Sequence, residues 1–312
     1  MSVLKKGHRI LVLLIIAGML CSAGVQAGEG KHKKEESPAA AKVEKQVKAK
    51  TQKEAGLKRE TIVKEAVMAL DQTGKAIEAL KNKKKQEALD ALAMAAGKLE
   101  IVLAREPKMA NAPIDVRIEE FDLYASVDTV KKAVKSAEDL LGDGEVQQAR
   151  TILADLASEI DLVITSLPLA AYTDTIKDVA KLVDAEKYEE ATQSLYELFS
   201  TMVITRNVIP LPLLRAEMLL DKADKLAVKK GRNEKENGEL RTLLDDAENQ
   251  IGMAEALGYG KKDDFKSFYA QLKEIRRKTR DGKFGSGFVD GLKNSLRKLK
   301  EKIFNGPIVE DL

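Results

Sequence analysis

An all-α fold of repeated αα-hairpins, packed as a bundle or short superhelix, is the architecture this sequence predicts. Three observations lead to it. The 312 residues are 44% hydrophobic but only 4% aromatic, without Trp, and Ala, Leu, Lys, Glu and Val dominate, as in chains made mainly of helix. Apolar residues recur at steps of three and four over long stretches. A helical marker also returns at matched positions, which is the signature of a repeat.

The chain opens with an address. Lys5, Lys6, His8 and Arg9 precede an apolar run from Ile10 to Leu20, and Val25-Gln26-Ala27 carries small residues where a signal peptidase cuts. Residues 1–27 therefore read as a secretory signal peptide, because the run falls short of the roughly 20 residues that cross a bilayer. Its removal leaves 50 basic and 50 acidic residues, no Cys, and His32 as the one histidine. Thiolate, imidazole and His-ligated metal chemistry then lack their residues. Residues 28–56 are rich in Lys, Glu, Ala and Gln with almost no large apolar side chain, so they read as a disordered tether that cannot offset its own conformational entropy.

From 57 to 230 the helical period dominates. Val146, Ala149, Leu153, Leu156, Ile160 and Val163 fall on one face, and Gly142-Asp143-Gly144 turns the chain after a helix from Ser126 to about Leu141. Gln86-Glu87-Ala88-Leu89 begins another helix. Ala88, Ala149 and Ala191 each stand 19 residues before a proline, at Pro107, Pro168 and Pro210; between these markers Leu92, Leu153 and Leu195 match, as do Ala95, Leu156 and Leu198. Three related helix pairs follow. The steps between them are unequal, 61 and 42 residues, so the first connection holds about 19 extra residues. There Ala112 to Ile118 alternates like a strand, and with Val203-Ile204-Thr205 as candidate partner it predicts one small two-stranded β element.

Residues 231–312 read as a C-terminal helical extension. Leu240, Leu243, Leu244, Ala247, Ile251 and Ala254 mark one amphipathic helix, Phe265, Phe268, Leu272 and Ile275 a second, and Phe288, Leu292, Leu296, Leu299 and Ile303 a third. A Gly-rich hinge at 282–287 separates the last helix and lets it move.

At Ala112-Pro113-Ile114-Asp115-Val116 and Val208-Ile209-Pro210-Leu211-Pro212-Leu213, set among Ala-rich helix pairs behind a secretory signal, the chain resembles the YfdX family of exported bacterial helical proteins. The likeness covers roughly residues 57–230, and the extension departs from the family core. It implies a Gram-negative periplasmic location and a stress-linked role, acid stress in particular, with no catalytic residues to carry over.

The remaining motifs resolve into ordinary structure. Asn233 to Leu244 has the outline of a calcium loop, but Lys235 takes a ligand position and Leu244 the place of the bidentate Glu. Asp245-Asp246 and Asp263-Asp264 point in different directions on a helix. Gly282 to Gly287 lacks the strand and the Gly-Lys-Ser order of a phosphate loop. No cofactor, metal or catalytic residue is expected, and the chain is read as not an enzyme; Tyr172, Tyr188 and Tyr196 are read as core side chains.

Charge is more informative. Residues 106–204 hold 20 acidic and 9 basic side chains, whereas 261–302 hold 14 basic and 6 acidic. These are either solvated faces or two attracting lobes whose contact weakens in acid. The function expected is a non-enzymatic periplasmic stress protein that binds polypeptide clients or its own copies as a homo-oligomer, with pH control and no nucleic acid. The alternative is an adaptor that reaches an envelope partner or an anionic membrane surface through the last helix. Its candidate interaction surface is Phe288, Leu292, Lys293, Leu296, Arg297, Leu299 and Ile303.

Overall fold

The computed structural model describes residues 38–304. The expected signal peptide and the first part of the expected tether lie outside the described residues. The rest of the tether does not behave as one. Helix α1 (Pro38–Glu60) covers it, with Ala39, Val43, Val47, Thr51 and Ala55 buried. Each is four residues from the next, so they form one stripe along the helix. The side chains are small, which is why a reading that sought large apolar residues passed over them.

The helix pairs appear where the repeat predicts them, and each continues into a strand. The first runs α2 (Lys64–Lys81), α3 (Lys85–Arg105), β1 (Asn111–Phe121); the second α4 (Val127–Gly142), α5 (Val146–Ala154), β2 (Glu159–Pro168); the third α6 (Leu169–Asp184), α7 (Tyr188–Ser200), β3 (Val203–Pro210). Each helix–helix turn places one residue in the left-handed region, two before the second helix: Lys83, Gly144 and Glu186, with φ of 54°, 78° and 59°. The repeat is thus αα followed by β. Helices α8 (Leu211–Ala227), α9 (Glu234–Ala256), α10 (Lys262–Thr279) and α11 (Asp290–Phe304) complete the described chain.

The strands form one three-stranded sheet in the order β1-β2-β3, so the expected two-stranded element gains a middle strand. The registers are fixed by Leu169 N–H donating to Ala110 O and Leu211 N–H donating to Ser158 O. β2 is the larger correction, since Ile160 and Val163 were expected on a helix. From Ile160 to Leu167 every residue is buried. A strand covered on both faces loses the alternation that marks a half-exposed one, and here Asp161, Thr165 and Ser166 are buried along with its apolar residues.

The chain divides into two compact units that do not follow the expected domain boundaries. The first comprises 60–116 and 164–204, and the described part of the second comprises 38–59, 117–163 and 205–304. In the first, α2 packs on α3 and α7, and α6 packs on α3 and α7. Leu92, Leu99, Tyr172, Leu195 and Leu198 are enclosed there. In the second, α8 packs on α9 and α11, α10 bridges α9 and α11, and α4 rests on α5 and α9. Their shared core holds Val43, Val47, Leu162, Leu214, Leu219, Leu244, Phe265 and Leu296. So the C-terminal helices are not an appendage.

The repeat supplies an internal control on stability. Leu195→Ala removes a side chain with no exposure and is expected to cost about 2–4 kcal/mol, whereas its counterpart Leu153→Ala, at 45% exposure, is expected to cost under about 1 kcal/mol. Denaturant unfolding followed by circular dichroism measures both, and equal losses would contradict the burial assignment.

Candidate functional site

The three hairpins carry equivalent apolar stripes but do not use them equally. Leu92 of α3 and Leu195 of α7 are 1% and 0% exposed, while Leu153 of α5 is 45% exposed. Leu141 and Val146, flanking the α4–α5 turn, are 47% and 53% exposed. Helix α4 is strongly amphipathic, yet only Val130 and Ala137 are buried on it. The second hairpin therefore leaves part of its stripe in solvent, at Leu141 and Leu153, while Val130, Ala137 and Ala149 stay buried. Along α4, Asp128 in the first turn is followed by Lys131, Lys132 and Lys135 and then by Glu138 and Asp139, Lys135 pairing with Asp139 at 2.6 Å, with Asp143 and Glu145 at the turn.

In the same unit a row of polar groups runs from half-buried to buried positions. Arg206 of β3 donates through Nη1 to Glu119 Oε2 of β1 at 2.6 Å and to Asp161 Oδ2 of β2 at 3.4 Å. Asp161 is 4% exposed, and its other oxygen has no hydrogen-bond partner. Beyond it, the Tyr259 hydroxyl donates to Glu159 Oε2 at 2.7 Å and accepts from Ser158 N–H at 3.0 Å. Ser158 Oγ donates to Asp122 Oδ1 at 3.4 Å. Asp122 then accepts a two-pronged bond from Arg215, with Nη1 to Oδ1 at 2.9 Å and Nη2 to Oδ2 at 2.7 Å. Both partners are almost wholly buried.

These carboxyls titrate in opposite senses. Burial and the negative charge of Glu159 push Asp161 up to about 6, against the partial relief given by Arg206. Burial also works against Asp122, but the hydrogen bonds and charge of Arg215 outweigh it and hold that carboxyl below the usual range. Because Asp161 is raised above its unfolded value, its ionisation costs stability above about pH 6, and that cost disappears as pH falls toward its ordinary value of 3.8. Asp122 works the other way: its contribution is present above its unfolded value and is lost in stronger acid. Mild acid therefore relieves one group before it harms the other.

Asp161→Asn tests this. Arg206 retains Glu119, so the variant is expected to be more stable than the parent at pH 7.5 by on the order of 2 kcal/mol. It should also lose most of the parent's gain in melting midpoint between pH 7.5 and 5; Asp224, likewise raised by burial, leaves a residual slope. An unchanged slope would remove Asp161 as the responsible group.

The surface expected at the C-terminus is occupied by the protein itself. Leu292, Leu296 and Leu299 are buried, Phe288 and Ile303 are half-buried, and α11 packs on α8 and α10. Lys293 pairs with Asp221 at 2.5 Å, Arg297 reaches Glu217 at 3.7 Å, and Asn207 Nδ2 donates to Phe304 O. Among the described residues, the long-range ion pairs of α10 and α11 run to Glu217, Asp221, Asp245 and Glu248, not to the acidic stretch 106–204 expected to attract them. The glycine hinge is also pinned. Arg232, buried and without a carboxylate in its hydrogen bonds, donates to the carbonyls of Leu226, Ala227, Lys229, Thr279 and Lys283. Gly285 N–H donates to Ala227 O, and a Cβ at Gly285 would run into the Phe288 ring. The glycine meets a close approach there.

Sequence reasoning missed Asp161, Arg206, Asp122 and Arg215. The available signal was a charge within an apolar run, as in Glu159-Ile160-Asp161-Leu162-Val163-Ile164 and Leu213-Leu214-Arg215-Ala216, because such a residue is buried only when paired. No group of three or more His, Cys, Asp or Glu side chains placed to hold a metal occurs among the described residues, and no described helix is long and apolar enough to cross a membrane.

Residues 69–208 match the family model described as YfdX protein. Among solved structures the chain is similar to a crystal structure of Salmonella Typhi YfdX at 17% identity; the match covers 48% of this chain and 93% of that one, with a TM-score of 0.33. No curated protein matches the chain.

Proposed function

Because this chain belongs to the YfdX family through residues 69–208, we propose that it is an exported, non-enzymatic stress protein of the periplasm that associates with its own copies and with apolar polypeptide segments. The α4–α5 hairpin carries this reading, since it exposes Leu141 and Leu153 where its two sibling repeats bury the matching side chains, with Val146 exposed beside them. An apolar stripe of that type gains free energy when covered, roughly 25 cal/mol for each Å² removed from water. The first occupant is a second copy. Two α4 helices packed antiparallel bring Lys131, Lys132 and Lys135 of one copy against Glu138, Asp139 and Asp143 of the other, a self-complementary pattern suited to a two-fold interface. The seam is held by opposite charges, so strong acid weakens it and favours the separated form with its apolar face free for clients.

The test is Leu141→Lys combined with Leu153→Lys. Both positions are exposed, so the fold is expected to survive. Light scattering at pH 7.5 should show the parent as an oligomer and the variant shifted toward monomer, and the parent should dissociate on approaching pH 4. In an aggregation-suppression assay the variant should protect less than the parent. An oligomer distribution indifferent to both the substitutions and pH would overturn the assignment of this face.

A further inference from the structure

Three basic side chains of the second unit converge on one buried carboxylate. Glu217 of α8, 4% exposed, is paired by Lys300 of α11, by Lys50 of α1 at 3.2 Å and by Arg297 of α11 at 3.7 Å. All three cations therefore share this one carboxylate at close range. Lys50, Arg297 and Lys300 line a cavity of about 330 Å³ whose apolar wall comes from Val208, Ile209, Leu214 and Phe304. Glu54 and Glu301 also line it, but the close pairs of Lys50, Arg297 and Lys300 run to Glu217.

A second observation points into the same space. Thr51 lines the cavity, is 5% exposed, and its hydroxyl has no hydrogen-bond partner. Helical threonines elsewhere in this protein satisfy theirs on the carbonyl four residues back, as Thr73 does on Ala69, Thr173 on Leu169 and Thr279 on Ile275. A buried donor left unpaired is costly, and an acceptor placed beside it recovers that cost.

We propose that this cavity is a binding site for a small amphiphile with a single anionic head, a monocarboxylate whose short apolar tail lies against Ile209, Leu214 and Phe304 while its carboxylate meets Lys50, Arg297, Lys300 and the Thr51 hydroxyl. The dimensions suit a small ligand. Lys58, whose ammonium lies 5.3 Å over the Phe304 ring, adds a further cation beside that wall. Burial and the neighbouring Lys50 bring Lys300 down to about 8, against the opposing pull of Glu217. An added anion favours its charged form, so binding takes up a proton above that pH.

Titration calorimetry of the full chain with octanoate, inorganic phosphate and octylamine tests the site. At pH 7 octanoate should bind saturably at one site, phosphate at least about tenfold more weakly, and octylamine without a saturable signal. Raising the pH to 9.5 should weaken octanoate severalfold as Lys300 loses its proton. Arg297→Gln, at an exposed position, and Thr51→Val should each weaken octanoate about fivefold or more with the melting midpoint unchanged. Absence of saturable octanoate binding, phosphate binding as tight as octanoate, or variants that bind like the parent would each overturn the proposal. None of these results bears on the α4–α5 face, whose test is the oligomer distribution.

Discussion

Replacing Arg215 with Met while Asp122 stays is expected to lower the unfolding free energy by about 3–5 kcal/mol, because a buried carboxylate loses the two bonds that hold it charged. Asp122→Leu alone should cost a similar amount, leaving the guanidinium stranded. Arg215 Nε already lacks a partner, so little redundancy exists around the pair. The double substitution should recover most of the loss, since well-packed apolar residues of similar volume replace a buried ion pair at little net cost. Urea unfolding read by circular dichroism measures all three variants, with the second unit's transition separated from the first where the two do not coincide. Single losses below about 1 kcal/mol, or a double variant as unstable as the sum of the singles, would show that the pair is not the enclosed contact described.

Phe265→Ala should be as damaging, at about 3–5 kcal/mol. Its ring has no exposure and meets Phe268 edge-on, with centroids 5.7 Å apart and an interplanar angle of 82°. Gly260 closes over it: a Cβ there would lie 3.0 Å from both the ring and Leu299. The space is therefore filled to its limit from α10, α11 and the α9–α10 turn, and emptying it leaves a cavity that those elements close only by moving. Gly260→Ala is expected to cost less, about 1–2 kcal/mol, by overpacking the same contact. Limited proteolysis near Phe284 should quicken in Phe265→Ala as α11 loosens; an unchanged cleavage rate together with a loss under about 1 kcal/mol would refute the packing role.

Much of this architecture is legible in the sequence because amphipathic helices announce themselves. The stripes of α9, α10 and α11 occupy the predicted residues except Phe288, which stands before α11, and Ser126 caps α4 through its hydroxyl as the start of that helix requires. What escapes has physical reasons. β2 hides because burial on both faces erases its period. α1 hides because its stripe is built from Ala, Val and Thr. Two of the three hairpin turns hide because Lys83 and Glu186 take a left-handed conformation usually marked by glycine. The candidate surface is half legible: the stripe through Leu153 is plain, but nothing local distinguishes a hairpin with a mate from one without. The polar row is legible only as charges misplaced in apolar runs, since its pairings, such as Asp122 with Arg215, join residues 93 positions apart.

The second unit draws on the beginning, middle and end of the described chain, and this governs how it is made. Helix α1 finds its ion-pair partners on α8 and α9, as Lys50 with Glu217 and Lys42 with Asp246, contacts that span 167 and 204 residues. Loop-closure entropy has to be met before such distant contacts return anything, so native assembly of this unit is slow relative to that of local hairpins. During synthesis α1 emerges ahead of its partners and waits, its stripe uncovered, until the last helices leave the ribosome. Any holdase that meets the nascent chain has α1 as its natural target, and a translation stall before α8 leaves that helix without its native partners.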